Sequence, residues 1–73
     1  MPSLRRDSGN RIKAIRLDHE LTQEQLAELV EISVDFLSLI ERGRNSPSFE
    51  VLERISQRLK IPVRDLFDFR KTP

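Results

Sequence analysis

Four charged, glycine-poor segments carry apolar residues at helical spacing, and only short breaks separate them. No stretch shows the alternation of a half-buried strand, so the chain reads as an all-α bundle of short helices. In the first segment Ile12 and Ile15 share a face, and the pattern gives out around His19 and Glu20. Thr22 followed three residues later by Gln25 has the spacing of a capping box, in which hydroxyl and side-chain amide satisfy free backbone N–H groups. The second helix starts there, with Leu26, Ala27, Leu29 and Val30 on its apolar face and Glu24 and Glu28 on the other. Ser33 is the next cap, and Asp35 follows in the first turn, where a negative charge suits the helix dipole. Leu37 and Ile40 form the inward stripe of that third helix, which ends at Arg42-Gly43, a site for a left-handed glycine. Asn45-Ser46-Pro47 makes a turn, and Ser48 caps a fourth helix carrying Val51, Leu52, Ile55 and Leu59. A fifth short helix is expected from Pro62, with Val63, Leu66, Phe67 and Phe69.

Length sharpens the problem. A chain of 73 residues supports one small domain, whose core supplies only a few kcal/mol, so such domains usually recruit disulfides, a metal or a partner subunit. There is no cysteine, and the single histidine, His19, cannot build a zinc site without thiolates. Neither a metal nor any other cofactor is expected, and oligomerisation is the remaining support. No apolar run approaches the roughly 20 residues that span a bilayer, and the N-terminus lacks the apolar stretch of a signal peptide. A membrane role is therefore not expected, and a cytoplasmic location is. No nucleophile-base set or phosphate-cradling glycine loop is present, so the chain is not read as an enzyme. With no second domain, no small-molecule ligand is expected.

The net charge of +1 hides a segregation. From Arg5 to Arg16 the chain carries Arg5, Arg6, Arg11, Lys13 and Arg16 against Asp7 alone. From Leu17 to Glu41 it carries Asp18, Glu20, Glu24, Glu28, Glu31, Asp35 and Glu41 and no lysine or arginine. Arg42 and Arg44 restore positive charge. A surface attractive to an anion must be assembled from segments distant in sequence.

The second and third helices, joined by Glu31-Ile32-Ser33, make a helix-turn-helix, whose second helix can enter a DNA major groove. The run Leu21-Thr22-Gln23-Glu24-Gln25-Leu26-Ala27, followed by Ile32-Ser33, Ser38, Ile40-Glu41-Arg42-Gly43 and Pro47-Ser48, resembles the Cro/cI-type (XRE-type) helix-turn-helix family of phage and bacterial regulators. The similarity extends from about Arg11 to Phe67. It implies a five-helix, lambda-repressor-like bundle over residues 9–69, flanked by a flexible basic arm (1–8) and a tail (70–73).

The resemblance also implies roles. Gln23 falls where the family holds a DNA phosphate, and a helix N-terminus suits an anion on independent grounds. Thr22 is mainly a cap with a secondary phosphate role. Arg16 and Glu41 occupy the positions of a pair that ties the first helix to the end of the recognition helix. On that helix Val34, Asp35, Ser38 and Leu39 are expected to face the bases: apolar groups against thymine methyls, Asp35 toward a cytosine amino group, Ser38 as donor or acceptor. Phe36 reads equally as a backbone contact or a packing residue. Arg42 and Arg44 are the leading phosphate contacts, supported by Arg11. Glu20 and Glu31 stand where the family often has glycine in a left-handed turn, and a negative charge at Glu31 does not favour DNA.

The implied partner is double-stranded DNA. The implied function is sequence-specific regulation of transcription, most simply repression by a homodimer on a palindromic operator at the nucleoid. Val63, Leu66 and Phe69 are the expected dimer interface, Leu66 and Phe67 also completing the core. The competing reading is a protein-interaction module, in which the acid-rich second and third helices bind a basic or apolar partner.

Overall fold

The structure, a computed structural model, describes residues 3–71. Four α-helices follow one another: α1 Leu4–Asp18, α2 Gln23–Leu29, α3 Val34–Glu41 and α4 Phe49–Leu59. They are followed by two 3-10 helices, Val63–Phe67 and Phe69–Lys71, and no strand occurs among the described residues. The all-helical class stands, and the expected fifth short helix forms as a 3-10 helix rather than an α-helix. Pro62 sits at the cap, without a side-chain capping bond, and the five residues that follow close only tight turns such as Asp65 N–H to the Pro62 carbonyl at 3.0 Å.

Each α-helix begins on a hydroxyl. Ser3, Thr22, Ser33 and Ser48 accept from the backbone N–H of Arg6, Gln25, Phe36 and Val51 respectively. At Thr22 the capping box is complete, because Gln25 Oε1 accepts in return from the Thr22 N–H at 2.9 Å. Each helix also runs out at a left-handed residue: Glu20 (φ 58°), Glu31 (φ 62°), Gly43 (φ 75°) and Lys60 (φ 56°). Beyond each, the chain turns back so that Leu21, Ile32, Arg44 and Ile61 N–H reach the carbonyls of Arg16, Ala27, Leu39 and Ser56 at 3.1, 3.0, 2.9 and 3.1 Å. These are Schellman closures, which capture helix-end carbonyls that otherwise lack donors. The bonds offset the roughly 1 kcal/mol that each of the three non-glycine residues gives up in this conformation.

The core gathers Ile12 and Ile15 of α1, Leu26, Ala27 and Val30 at α2, Leu37 and Ile40 of α3, Val51, Leu52 and Ile55 of α4, and Leu66. Helix α1 starts earlier than its apolar residues suggest. Its buried stripe includes Ser8, Gly9, Arg11 and Arg16, small or polar residues that continue the helical period invisibly to a hydropathy reading. Residues 4–8 of the expected arm are therefore helical, and Ser8 is buried. Residues 1–2 of that arm and 72–73 of the tail lie outside the described residues. Gly9 marks a close helix approach: a Cβ there would collide with the Ile40 carbonyl oxygen, so α1 lies directly on the last turn of α3.

Leu66 is fully enclosed in the chain's own core, while Phe67 stands 42% exposed. The short helical turn has only one inward position near its centre, and Leu66 takes it. Leu66 is thus removed from the expected interface, and Phe67 from the expected core.

Candidate nucleic-acid interface

The helix-turn-helix is held by one buried polar junction. Arg16 of α1 meets Glu41 at the end of α3 in a fork, Nε to Oε2 at 2.8 Å and Nη2 to Oε1 at 3.1 Å. The same guanidinium donates from Nη1 to the Leu21 carbonyl at 2.8 Å. Gln23, the first residue of α2, donates from Nε2 to Glu41 Oε1 at 3.1 Å. Arg16 and Glu41 side chains are only 9% and 2% exposed, so the pair is desolvated, and its fixed geometry outweighs its net energy. One carboxylate thereby joins α1, the start of α2 and the end of α3. The second amide N–H of Gln23 remains available beside the α2 N-terminus.

Leu37, Ile40 and Glu41 are buried, which turns the remaining positions of α3 outward. Asp35 is exposed, and Val34, Ser38 and Leu39 are half-buried. Val34 and Phe36 both lean on the core from its edge and keep part of each side chain exposed. Past the helix, Arg42 is exposed with Nε 3.3 Å from the Ser38 carbonyl, and Arg44 is exposed. Both can present charge beside the α3 surface.

Arg11 cannot. It is 5% exposed, and its Nε donates to the Asp65 carbonyl at 2.7 Å, so it clamps the C-terminal 3-10 segment onto α1. Its place on the inner stripe of α1, one residue before Ile12, is the physical reason. Arg5 and Arg6, by contrast, are exposed. Arg5 Nε donates to Ser46 Oγ at 3.2 Å, and Arg6 packs against Gly43, its Cα lying 3.1 Å from where a Cβ at Gly43 would stand. The first turn of α1 is thus carried to the loop after α3, and Arg5, Arg6, Arg42 and Arg44 stand along one basic edge. Ser3 as a helix cap, with Asp7 in the first turn, was the available signal that this segment is ordered.

The charge at Glu31 is met within the fold. Its carboxylate lies 3.3 Å from Arg58 Nη2 and 3.8 Å from Arg54 Nε, and Arg54 also donates to the Val30 carbonyl at 3.1 Å. His19 is exposed and closes α1, with Nδ1 2.9 Å from the Ile15 carbonyl. Of the expected interface residues, Val63 is 48% exposed, and Phe69 is half-buried with its ring edge-on to Phe67 at 6.4 Å. Phe67 also borders an apolar groove of about 350 Å³ with Leu4, Pro47, Phe49 and Leu52. Phe49, at 86% exposure, and Leu4, at 63%, have no core to enter.

Among the described residues no cluster of His, Asp or Glu is arranged to hold a metal ion, and no helix is long and apolar enough to cross a membrane.

A buried Arg-Glu-Gln junction fixing two short helices, with an outward face on the second and a basic edge beyond it, is the frame of a helix-turn-helix regulator. Residues 12–66 match the helix-turn-helix family (HTH_3), and the chain belongs to that family. It is 49% identical over 55 residues to the immunity repressor protein of Bacillus phage phi105, across 75% of this chain and 38% of that protein. It is 36% identical over 62 residues to the control protein C.BamHI of Bacillus amyloliquefaciens, across 84% of this chain and 76% of that protein. Among solved structures, the clp gene regulator ClgR from C. glutamicum superposes with a TM-score of 0.85 at 33% identity, covering 94% of this chain and 90% of that one. Over the first curated relatives the chain spans 37–45% of their length. These relatives are named as an immunity repressor, a transcriptional regulator, an antitoxin and a control protein.

Proposed function

We propose that this chain regulates transcription by binding duplex DNA in a sequence-specific manner, as a homodimer that represses from a palindromic operator in the cytoplasm, at the nucleoid. The observation that carries the reading is the coupling of an outward-facing α3 to a rigid buried junction, with arginines flanking it. Base readout falls to Val34, Asp35, Ser38 and Leu39. None offers the bidentate fork of arginine or glutamine, so discrimination rests on methyl contacts, on Asp35 accepting from cytosine and on Ser38. Positioning falls to the second amide N–H of Gln23, with Thr22 beside it, and to Arg42 and Arg44, aided by Arg5 and Arg6 in place of Arg11. The names of the relatives, repressor and control protein among them, support this role.

Exposed Val63, Phe67, Phe49 and Leu4 supply the apolar surface for a two-fold partner, in place of the buried Leu66. A dimer there would set two recognition helices about 34–36 Å apart, one turn of DNA. Half-buried Phe69 stands at its border, edge-on to Phe67.

The test is a titration against a pool of random duplexes, with selection of bound sequences, between about 50 and 200 mM salt. Affinity is expected to fall steeply with salt, and Arg42→Ala and Arg44→Ala each to reduce the slope by about one. Asp35→Ala is expected to change the selected sequence, and Phe67→Lys to weaken a full palindrome far more than a half-site. A chain that ignores duplexes at the lowest salt overturns the reading.

A further inference from the structure

A second groove, of about 390 Å³, lies between α2 and the C-terminal end of α4. Leu21 and Leu29 supply its apolar lining, Gln25 and Glu28 stand on the α2 side, and the Glu31–Arg58 ion pair adds a charged border. Gln25, Glu28 and Leu29 share one helix face by their i, i+3, i+4 spacing. Leu29 is 37% exposed, although its neighbour Val30 is wholly buried. The groove adjoins the longest stretch of unbalanced charge in the chain. Asp18, Glu20, Glu24 and Glu28 are all exposed, and none forms an ion pair among the described residues.

From this geometry we infer that the α2–α4 groove docks a basic amphipathic helix of a second protein. Its apolar side chains would seat on Leu21 and Leu29, and its lysines or arginines would face Glu24 and Glu28. An amphipathic helix in an apolar groove is a recurring recognition mode, and charge complementarity here selects a cationic helix over an acidic one. Glu28, in the groove lining, disfavours a phosphate there, so the groove is not a second DNA site. Arg58 of this groove and Phe49 of the dimer surface stand nine residues apart on α4, about 13 Å at the helical rise. The site does not depend on the DNA reading.

The experiment uses the 73-residue chain, isotope-labelled, and a synthetic peptide with leucines at helical spacing and lysines elsewhere. A scramble of the same composition without an apolar face is the control. Backbone amide shifts are expected at Leu21, Gln25, Glu28, Leu29 and Arg58, not at Phe49 or Phe67, and the scramble should bind at least roughly tenfold more weakly. The double variant Glu28→Lys, Leu29→Ser alters exposed positions, retains the helical circular dichroism, and is expected to lose the peptide while its affinity for duplex DNA does not fall. Equal binding of peptide and scramble, shifts centred elsewhere, or undiminished binding by the double variant would overturn the inference. Concentration-dependent shifts at Leu21 and Leu29 in the chain alone would assign the groove to a second copy and overturn it too. A chain that binds the peptide but ignores DNA would sink the regulator reading and leave this one standing.

Discussion

The helix-turn-helix and the C-terminal 3-10 segment are built to different standards. In the former, both helix starts are capped by hydroxyls, both ends close on left-handed residues, and Glu41 accepts from both Arg16 and Gln23. In the latter, Pro62 provides no side-chain cap, one apolar side chain is buried, and the main polar tie is the bond from Arg11 to the Asp65 carbonyl. The difference separates two kinds of order. The first region is locally specified and then locked, as an element must be if it positions side chains against bases. The second is held by single tertiary contacts and leaves Val63 and Phe67 uncovered, as an element can if a partner completes it.

The contrast can be broken most severely at the junction. Glu41→Ala removes the carboxylate that faces the buried Arg16 and is expected to cost about 3–5 kcal/mol, since an uncompensated buried charge is left behind. Urea unfolding reads it directly, and a loss below about 1 kcal/mol would show that the junction does not lock the fold. At the other region Arg11→Ala is expected to cost less, about 1.5–3 kcal/mol for a charge-assisted bond. Its signature is regional: hydrogen exchange should rise at Leu66 and Asp68 before it rises in α3. Uniform acceleration across the chain would mean that the two regions unfold as one unit. The smallest effect sharpens the claim of local specification. Ser33→Ala deletes the cap of α3 and is expected to cost about 1 kcal/mol, with exchange raised first in the opening turn of that helix.

Much of this fold is legible in short-range pattern. Thr22 with Gln25, Ser33 with Asp35, and Ser48 mark three helix starts because a cap acts within four residues. Gly43 marks an end for the same reason, and Glu20 and Glu31 take the left-handed form that the resemblance implies. Lys60 does so without any residue-level signal, since lysine has no preference for that conformation. The start of α1 was obscured because its inner face runs through Ser8, Gly9 and Arg11. The C-terminal turn is less legible because its ties come from elsewhere in the chain, from Arg11 to the Asp65 carbonyl and from the Ser56 hydroxyl to the Ile61 carbonyl at 2.6 Å.

What the sequence determined by itself is the set of helices from α2 to α4, their caps, and the identity of nearly every core side chain, because capping and apolar periodicity are written over a few neighbouring residues. What the tertiary structure alone decided is the fate of the charges. Arg11 and Arg16 lie five residues apart on one helix and look alike in the chain; packing points one at a backbone carbonyl and the other at Glu41, and leaves Arg5 and Arg6 to the basic edge. A long charged side chain takes its role from whichever acceptor the fold brings within hydrogen-bond reach, and that acceptor is 54 residues away for Arg11 and 25 for Arg16.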